Sequence, residues 1–322
     1  RQGFQWMQFL ANNQLHGILA DDMGLGKTIQ TLAHILAEKE NGNTLPNLVI
    51  APTSVVENWQ REAAKFAPSL QVTILQGADR HQHFNRLKDT DLALSSYALL
   101  HRDIEHLLTQ EFHLLVLDEA QHIKNPSAQV SHAARKLKAH HRICLSGTPV
   151  ENHLGELWSL FDFLMPGLLG NADSFRETFR TPIEKNKDPQ RTDALANKVG
   201  PLILRRTKDQ VATELPPKTE IPHLIELGEE EKDLYETVRA TMDKHVRRAL
   251  AAKTGQQAQI VFLDALLKLR QICCHPDLTN FKETDGTPEA DTQSSAKFEY
   301  LKDLLNTLKQ ENRKVLIFSQ FT

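Results

Sequence analysis

Residues 19–28 read Leu-Ala-Asp-Asp-Met-Gly-Leu-Gly-Lys-Thr. A glycine-rich turn that ends in Lys-Thr and opens a helix suits a polyphosphate. The free N–H groups of the first helical turn point at the anion, and the helix dipole favours its charge. Gly24 and Gly26 let the backbone approach closely. Lys27 pairs with the terminal phosphates, and the Thr28 hydroxyl is a ligand for Mg²⁺. Met23, Gly24, Leu25, Gly26, Lys27, Thr28 and Ile29 are therefore the candidate nucleotide contacts. The general pattern G-x-x-x-x-G-K-[ST] asks for glycine at position 21, where this chain has Asp21.

A second group follows much later in the chain. Asp118-Glu119-Ala120-Gln121 comes directly after the apolar run Leu114-Leu115-Val116-Leu117. A carboxylate at a strand end can hold Mg²⁺ through oxygen ligation. The next carboxylate points elsewhere and can orient or deprotonate water. Phosphoryl transfer needs mainly positioning and charge stabilisation, so a lysine, a metal and a water-orienting base are the expected parts. Lys27, Asp118, Glu119 and Gln121 are the candidate catalytic residues, with Thr28 and Asp118 as the metal ligands. Ser146-Gly147-Thr148-Pro149 follows another apolar run. By spacing alone it is either a bridge between the nucleotide edge and a second ligand or a plain strand-to-loop turn.

These groups must be brought together by regular elements. Short apolar runs recur at 17–20, 48–51, 72–75, 92–94, 114–117 and 142–145, and helical patterns at 55–66 and 127–137 stand between some of them. Strands alternating with helices predict a parallel sheet covered on both faces. Ligands of such sheets sit beyond the carboxyl ends of the strands, where the runs here end in polar or small residues. The later half changes character. Residues 155–165 read as helix and 185–191 as a polar loop. Residues 229–253 form a long amphipathic helix opened by three glutamates, and 257–272 a second. Residues 284–295 read as a linker and 297–308 as helix, and Val315-Leu316-Ile317-Phe318-Ser319 reads as a buried strand.

The 322 residues are 40% hydrophobic and 25% charged, an ordinary globular composition with room for more than one core. A net charge of −3 offers no molecule-wide attraction to nucleic acid, so any basic surface must be local. Cys144, Cys273 and Cys274 do not make a disulfide framework. The Cys273-Cys274-His275 run lacks the second pair a tetrahedral zinc site needs. No apolar run is long enough to span a membrane, and no membrane partner is expected. Trp6, Trp59 and Trp158 lie in apolar helical contexts and read as core rather than base-stacking residues. Arg205 and Arg206 read equally as phosphate grips or as a solvated turn.

Taken together, the segments resemble the Swi/Snf family of ATPases within helicase superfamily two. The resemblance covers nearly the whole chain and is carried by 21–28, by Ala51-Pro52-Thr53-Ser54 through Asn58-Trp59, by Ser95-Ser96-Tyr97 and by 118–125. It continues through Leu145-Ser146-Gly147-Thr148-Pro149, Leu204-Arg205-Arg206-Thr207-Lys208, 269–276 and 315–321. Asp21 agrees with the family's version of the nucleotide loop. The resemblance implies an α/β architecture: a RecA-like parallel sheet with helices on both faces, a largely helical region, and the beginning of a second RecA-like lobe. The expected division is 1–167 for the ATP-binding lobe, 168–290 for helical protrusions and 291–322 for the start of the second lobe. It implies ATP and Mg²⁺ as cofactors and double-stranded DNA as partner, with DNA-bound proteins as further partners. Gln121, Ser146, Gly147 and Thr148 would couple nucleotide to the other lobe. Pro52, Thr53, Ser54, Ser95, Ser96 and Tyr97 would face the DNA.

The function this implies is an ATP-dependent translocase on duplex DNA. An RNA or single-strand helicase on the same fold and a nucleotide-sensing module without turnover are the alternatives. The family's adenine-reading Tyr-Gln pair and its arginine fingers fall outside these residues. An arginine finger is worth roughly 10³–10⁵ in rate. The 322 residues alone are therefore expected to bind ATP weakly and hydrolyse it little. The expected location is the nucleoid-containing cytoplasm in a bacterium or the nucleus in a eukaryote.

Overall fold

The computed structural model describes residues 1–211, 214, 219–252, 255–279 and 295–321. The chain divides into two compact units, residues 1–216 and 217–322.

The first unit is built on a seven-stranded, all-parallel sheet in the order β3-β4-β2-β5-β6-β1-β7. The strands are β1 (Gly17–Leu19), β2 (Asn47–Ala51), β3 (Val72–Ile74), β4 (Leu92–Ser96), β5 (Glu111–Asp118), β6 (Lys138–Leu145) and β7 (Ile203–Leu204). Every residue of β1, β2 and β4 is buried, as continuous apolar runs require when both faces are covered. Helices α1 (Gln2–Asn12), α2 (Lys27–Glu40) and α3 (Thr53–Phe66) alternate with the first strands. Each presents an apolar stripe to the sheet: Met7 and Leu10, Leu32 and Ile35, Val56, Trp59 and Ala63. The core is one continuous cluster, with Trp59, Phe112, Phe161 and Phe163 among its largest members.

This topology sets the site. In the sheet β5, β6 and β1 are neighbours, with Leu117 opposite Cys144 and Ile18 opposite Cys144 on the other side. The loops after these three strands emerge side by side at the carboxyl edge. They are the lysine-bearing turn, the Asp118-Glu119 pair and Ser146-Gly147-Thr148.

Three sequence expectations change. Residues 185–191 are not a loop. Helices Thr181–Asn186 and Pro189–Val199 are separated only by Lys187 and Asp188. Asp188 caps the second, accepting from Arg191 N–H at 3.1 Å, with Pro189 in its first turn. The polarity that suggested a loop belongs to exposed helix faces. Strand β7 was not anticipated. It pairs with β1 and draws the chain as far as residue 204 into the first unit, beyond the expected boundary at 167.

The second unit is helical: Glu229–Ala252, Gly255–Ile272 and Ala296–Gln310. Ser295 caps the last of these through Phe298 N–H. The expected strand at 315–319 is the third correction. These residues are not in a ladder, and Leu316 and Phe318 are 84% and 91% exposed. A strand needs a neighbour to satisfy its N–H and C=O groups, and the described residues of this unit contain no other. Residues 284–294 of the expected linker lie outside the described residues. Among the described residues no helix is long and apolar enough to cross a membrane.

Candidate nucleotide site

The turn after β1 takes the shape its glycines permit. Gly24 and Gly26 adopt φ of +87° and +75°, the left-handed region that favours glycine. Gly26 is the residue before α2, and no side chain caps that helix. The N–H groups of its first turn are thus presented outward, as an anion site requires. Lys27 Nζ donates to the carbonyls of Asp21 at 2.6 Å and Asp22 at 3.3 Å. The Thr28 hydroxyl makes no hydrogen bond among the described residues. Met23 and Ile29 are exposed, and Leu25 is half-buried.

Asp21, the departure from the general motif, is fully buried. Its carboxylate accepts a forked pair from Arg206, with Nε at 2.9 Å from Oδ1 and Nη2 against Oδ2. Arg206 Nη2 also donates to Gln30 Oε1 at 2.7 Å, and Gln30 Nε2 donates to Leu25 O at 3.0 Å. Arg206 is thus neither a free phosphate grip nor a solvated turn. It clamps the start of the loop to the first turn of α2. A charged residue at position 21 works because its partner comes from a segment far along the chain. Sequence spacing carried no signal for that pairing beyond the Arg-Arg dipeptide.

Asp118 ends β5 and is almost buried. Trp59 Nε1–H donates to its Oδ2 at 2.8 Å and Glu119 N–H to its Oδ1 at 3.0 Å. Burial pushes the Asp118 carboxyl above its usual range. The Trp59 and Glu119 N–H bonds and the Lys27 charge oppose this, while the Glu119 carboxylate adds to it. The Lys27 ammonium is near enough for its charge to act on the Asp118 carboxyl. Trp59 is a core residue as expected, and it also holds this carboxylate, a role that helical spacing could not reveal.

Glu119 has φ of +50°, rare for a residue with a side chain. Gln121 Nε2 donates to Glu119 Oε2 at 2.8 Å, and Ser146 Oγ donates to Gln121 Oε1 at 3.3 Å. Thr148 N–H donates to Ser146 Oγ at 3.1 Å, and the Thr148 hydroxyl donates to Glu151. Glu151 and the buried Glu156 share the Lys124 ammonium, each at 3.1 Å. A continuous polar chain therefore runs from the acidic pair to 146–151. Ser146 to Thr148 is more than a plain turn, because the Ser146 hydroxyl joins the end of β6 to Gln121 after β5. Gly147 lies between Ser146 and Thr148, half-buried beside Met23.

The resemblance implies a DNA face of six residues, and the structure divides them. Pro52 is half-exposed, and Thr53 and Ser54 are exposed at the start of α3, beyond the end of β2. Ser95, Ser96 and Tyr97 are buried and form no surface. β4 runs two residues further than the apolar run suggested, with β2 and β3 on either side. Tyr97 instead donates its hydroxyl to Asp118 O at 2.8 Å. It braces the acidic strand end from below.

The donor set fits one hard divalent cation. It offers one free hydroxyl in the first turn of α2 and one buried carboxylate at the end of β5, leaving the remaining positions to phosphate oxygens and water. Among the described residues no group of three His, Cys, Asp or Glu could hold a metal by itself.

Comparison with known proteins places this geometry. The model of a family described as the SNF2-related domain matches residues 1–278. YwqA of Bacillus subtilis is 42% identical over 328 residues, covering all of this chain and 35% of that protein. ISW1, the ATPase of an ISWI chromatin-remodeling complex in Saccharomyces cerevisiae, is 32% identical over 334 residues, covering all of this chain and 29% of that protein. The chain thus spans about a third of the length of these relatives. Among solved structures, a Sulfolobus solfataricus SWI2/SNF2 ATPase core in complex with dsDNA matches with a TM-score of 0.64 at 37% identity. The match covers 99% of this chain and 66% of that one, and the sheet of the first unit is of the RecA-like α/β type.

Proposed function

We propose, for a chain that belongs to the SNF2-related domain family, that it is the ATP-hydrolysing part of a motor that moves along double-stranded DNA. The observation that carries this is that the Lys27 turn after β1 and the Asp118-Glu119 pair after β5 flank β6 at one sheet edge, with Gln121 joining Glu119 to Ser146 at the end of β6.

In this reading Lys27 leaves the loop carbonyls for the β- and γ-phosphates, and the α2 N–H groups hold the same phosphates. Thr28 and Asp118 would hold Mg²⁺, which would supply neutralisation of the charge on the phosphoryl oxygens. Trp59 and Tyr97 keep Asp118 in place. Glu119 orients the attacking water and receives its proton, at an angle that the strained backbone supplies. Gln121 reports the state of Glu119 to Ser146 and Thr148. Pro52, Thr53 and Ser54 meet the DNA backbone, joined by DNA-bound proteins as secondary partners. Phosphate contacts do not read sequence, so binding has little base preference and a steep salt dependence. The place of action follows the substrate: a bacterial nucleoid or a eukaryotic nucleus.

Support for duplex DNA as the track comes from the Sulfolobus core, whose structure contains it. The test is ATP turnover by the full-length protein with duplex DNA, single-stranded DNA and RNA at one salt concentration. Duplex DNA should stimulate most, and Lys27→Ala and Glu119→Gln should each abolish the stimulated rate. Preference for RNA or single strands would replace the duplex reading with an unwinding one. Turnover unchanged in both variants would reject the enzymatic reading.

A further inference from the structure

The nucleotide loop has a second wall outside its own motif. Residues 204–208 run beside it as a strap. Ala20 N–H donates to Leu204 O at 2.7 Å and Asp22 N–H to Arg206 O at 3.0 Å. Lys208 N–H donates to Asp22 Oδ2 at 3.0 Å. The fork between Arg206 and Asp21 fixes the strap between these bonds. Together they set the position of the Lys208 side chain with respect to Gly24. A Cβ placed on Gly24 would lie 3.6 Å from Lys208 Cε and 3.8 Å from Nζ. The ammonium is therefore over the glycine whose bare backbone must approach a phosphate. It makes no hydrogen bond or ion pair among the described residues, whereas Lys27 is already held by two carbonyls. The nearest carboxylate on the loop, Asp22, is engaged by the Lys208 backbone rather than by its charge.

We propose that Lys208 is a second phosphate-binding residue of this site, reaching across Gly24 to the polyphosphate of a nucleoside di- or triphosphate. The proposal rests on the nucleotide reading above. It gives the strap a direct role: the cation it carries is in place only while the strap is docked along the loop. Lys27 belongs to the loop itself, whereas Lys208 arrives with β7 and the Arg206 clamp. Nucleotide affinity thereby becomes sensitive to the position of a segment that follows the helices at 172–199.

The test is equilibrium binding of ATP and of inorganic pyrophosphate, each with Mg²⁺ at one ionic strength. The full-length protein is compared with its Lys208→Ala, Lys208→Glu, Lys208→Arg and Lys27→Ala variants by titration calorimetry. Lys208 is exposed, so these variants keep the fold. Loss of a charge-assisted contact predicts about tenfold weaker binding of both probes for Lys208→Ala. Lys208→Glu should weaken both further, and Lys208→Arg should stay within about threefold of wild type. If Lys27→Ala loses affinity but Lys208→Ala and Lys208→Glu bind like wild type, the Lys208 role is rejected and the nucleotide reading stands. If Lys27→Ala binds as well as wild type, or wild type binds neither probe, both are overturned.

Discussion

The Arg206–Asp21 clamp makes the sharpest stability prediction. Arg206→Met removes the guanidinium but keeps an unbranched apolar stem. Asp21 is fully buried, so its carboxylate is left without its forked partner. Gln30 Nε2, at 3.5 Å, is too distant to replace it. Breaking a buried pair by removing one partner costs roughly 3–5 kcal/mol. For a unit of this size, each kcal/mol shifts the thermal midpoint by about 2–4 °C, so the expected fall is roughly 6–20 °C. The assay is built into the chain. Trp6, Trp59 and Trp158 all lie in the first unit, so tryptophan fluorescence during urea unfolding reports that unit alone. The double variant Asp21→Asn/Arg206→Met removes the stranded charge and should recover more than half of the loss, a coupling above about 1.5 kcal/mol. A single variant that costs less than 1 kcal/mol, or a double variant no better than the single, would refute the clamp.

Three further outcomes are expected. Trp59→Phe keeps most of the packing but removes the N–H bond to Asp118. The carboxyl then rises further, and the Mg²⁺ midpoint for ATP turnover should move up by at least about tenfold, the worth of a hydrogen bond to a charged group; an unchanged midpoint contradicts the metal role. Glu156, held at about 2 by the N–H groups of Glu151 and Asn152, the Asn152 side chain and Lys124 against the upward push of burial, anchors the loop after Thr148. Glu156→Gln should lower the urea midpoint by the equivalent of about 1–3 kcal/mol, and no change would show the network to be ornamental. At the opposite end of the sheet, burial lowers His16 and His34 to about 4, helped at His16 by His141 and Arg142 and opposed at His34 by Glu38. Their neutral forms are favoured in the folded state, so their contribution is complete above about pH 6.5 and is lost as pH falls toward 4. Between pH 7 and 5 the first unit should lose roughly 1–3 kcal/mol, and replacing both by Gln should flatten that part of the profile; a wild-type midpoint that holds or rises over this interval counts against it.

Much of the site was legible because its signals are local. A strand, two glycines and Lys-Thr opening a helix constrain a turn within ten residues. An apolar run followed by Asp118-Glu119 places both carboxylates at a strand end. The parallel sheet was readable from alternating apolar runs and helical patterns for the same reason. Errors arose where the deciding partner is distant. Residues 315–319 have a strand's composition and no ladder to join. Ser95, Ser96 and Tyr97 look like a polar strand end, yet neighbouring strands and the Asp118 carbonyl enclose them. Polar residues at 185–191 have a loop's composition because exposure, not backbone, sets it.

The order of residues alone determined which groups can touch a phosphate, a metal and a water, since each motif bends the backbone it occupies. Which of those groups meet was decided by sheet order. Placing β1, β6 and β5 side by side gathers three loops that the chain keeps far apart. Tertiary structure also chose the supports: Trp59 and Tyr97 for Asp118, Arg206 for Asp21, Lys124 for the glutamates. A buried charge must find its partner in space, and that partner can come from any distance along the chain.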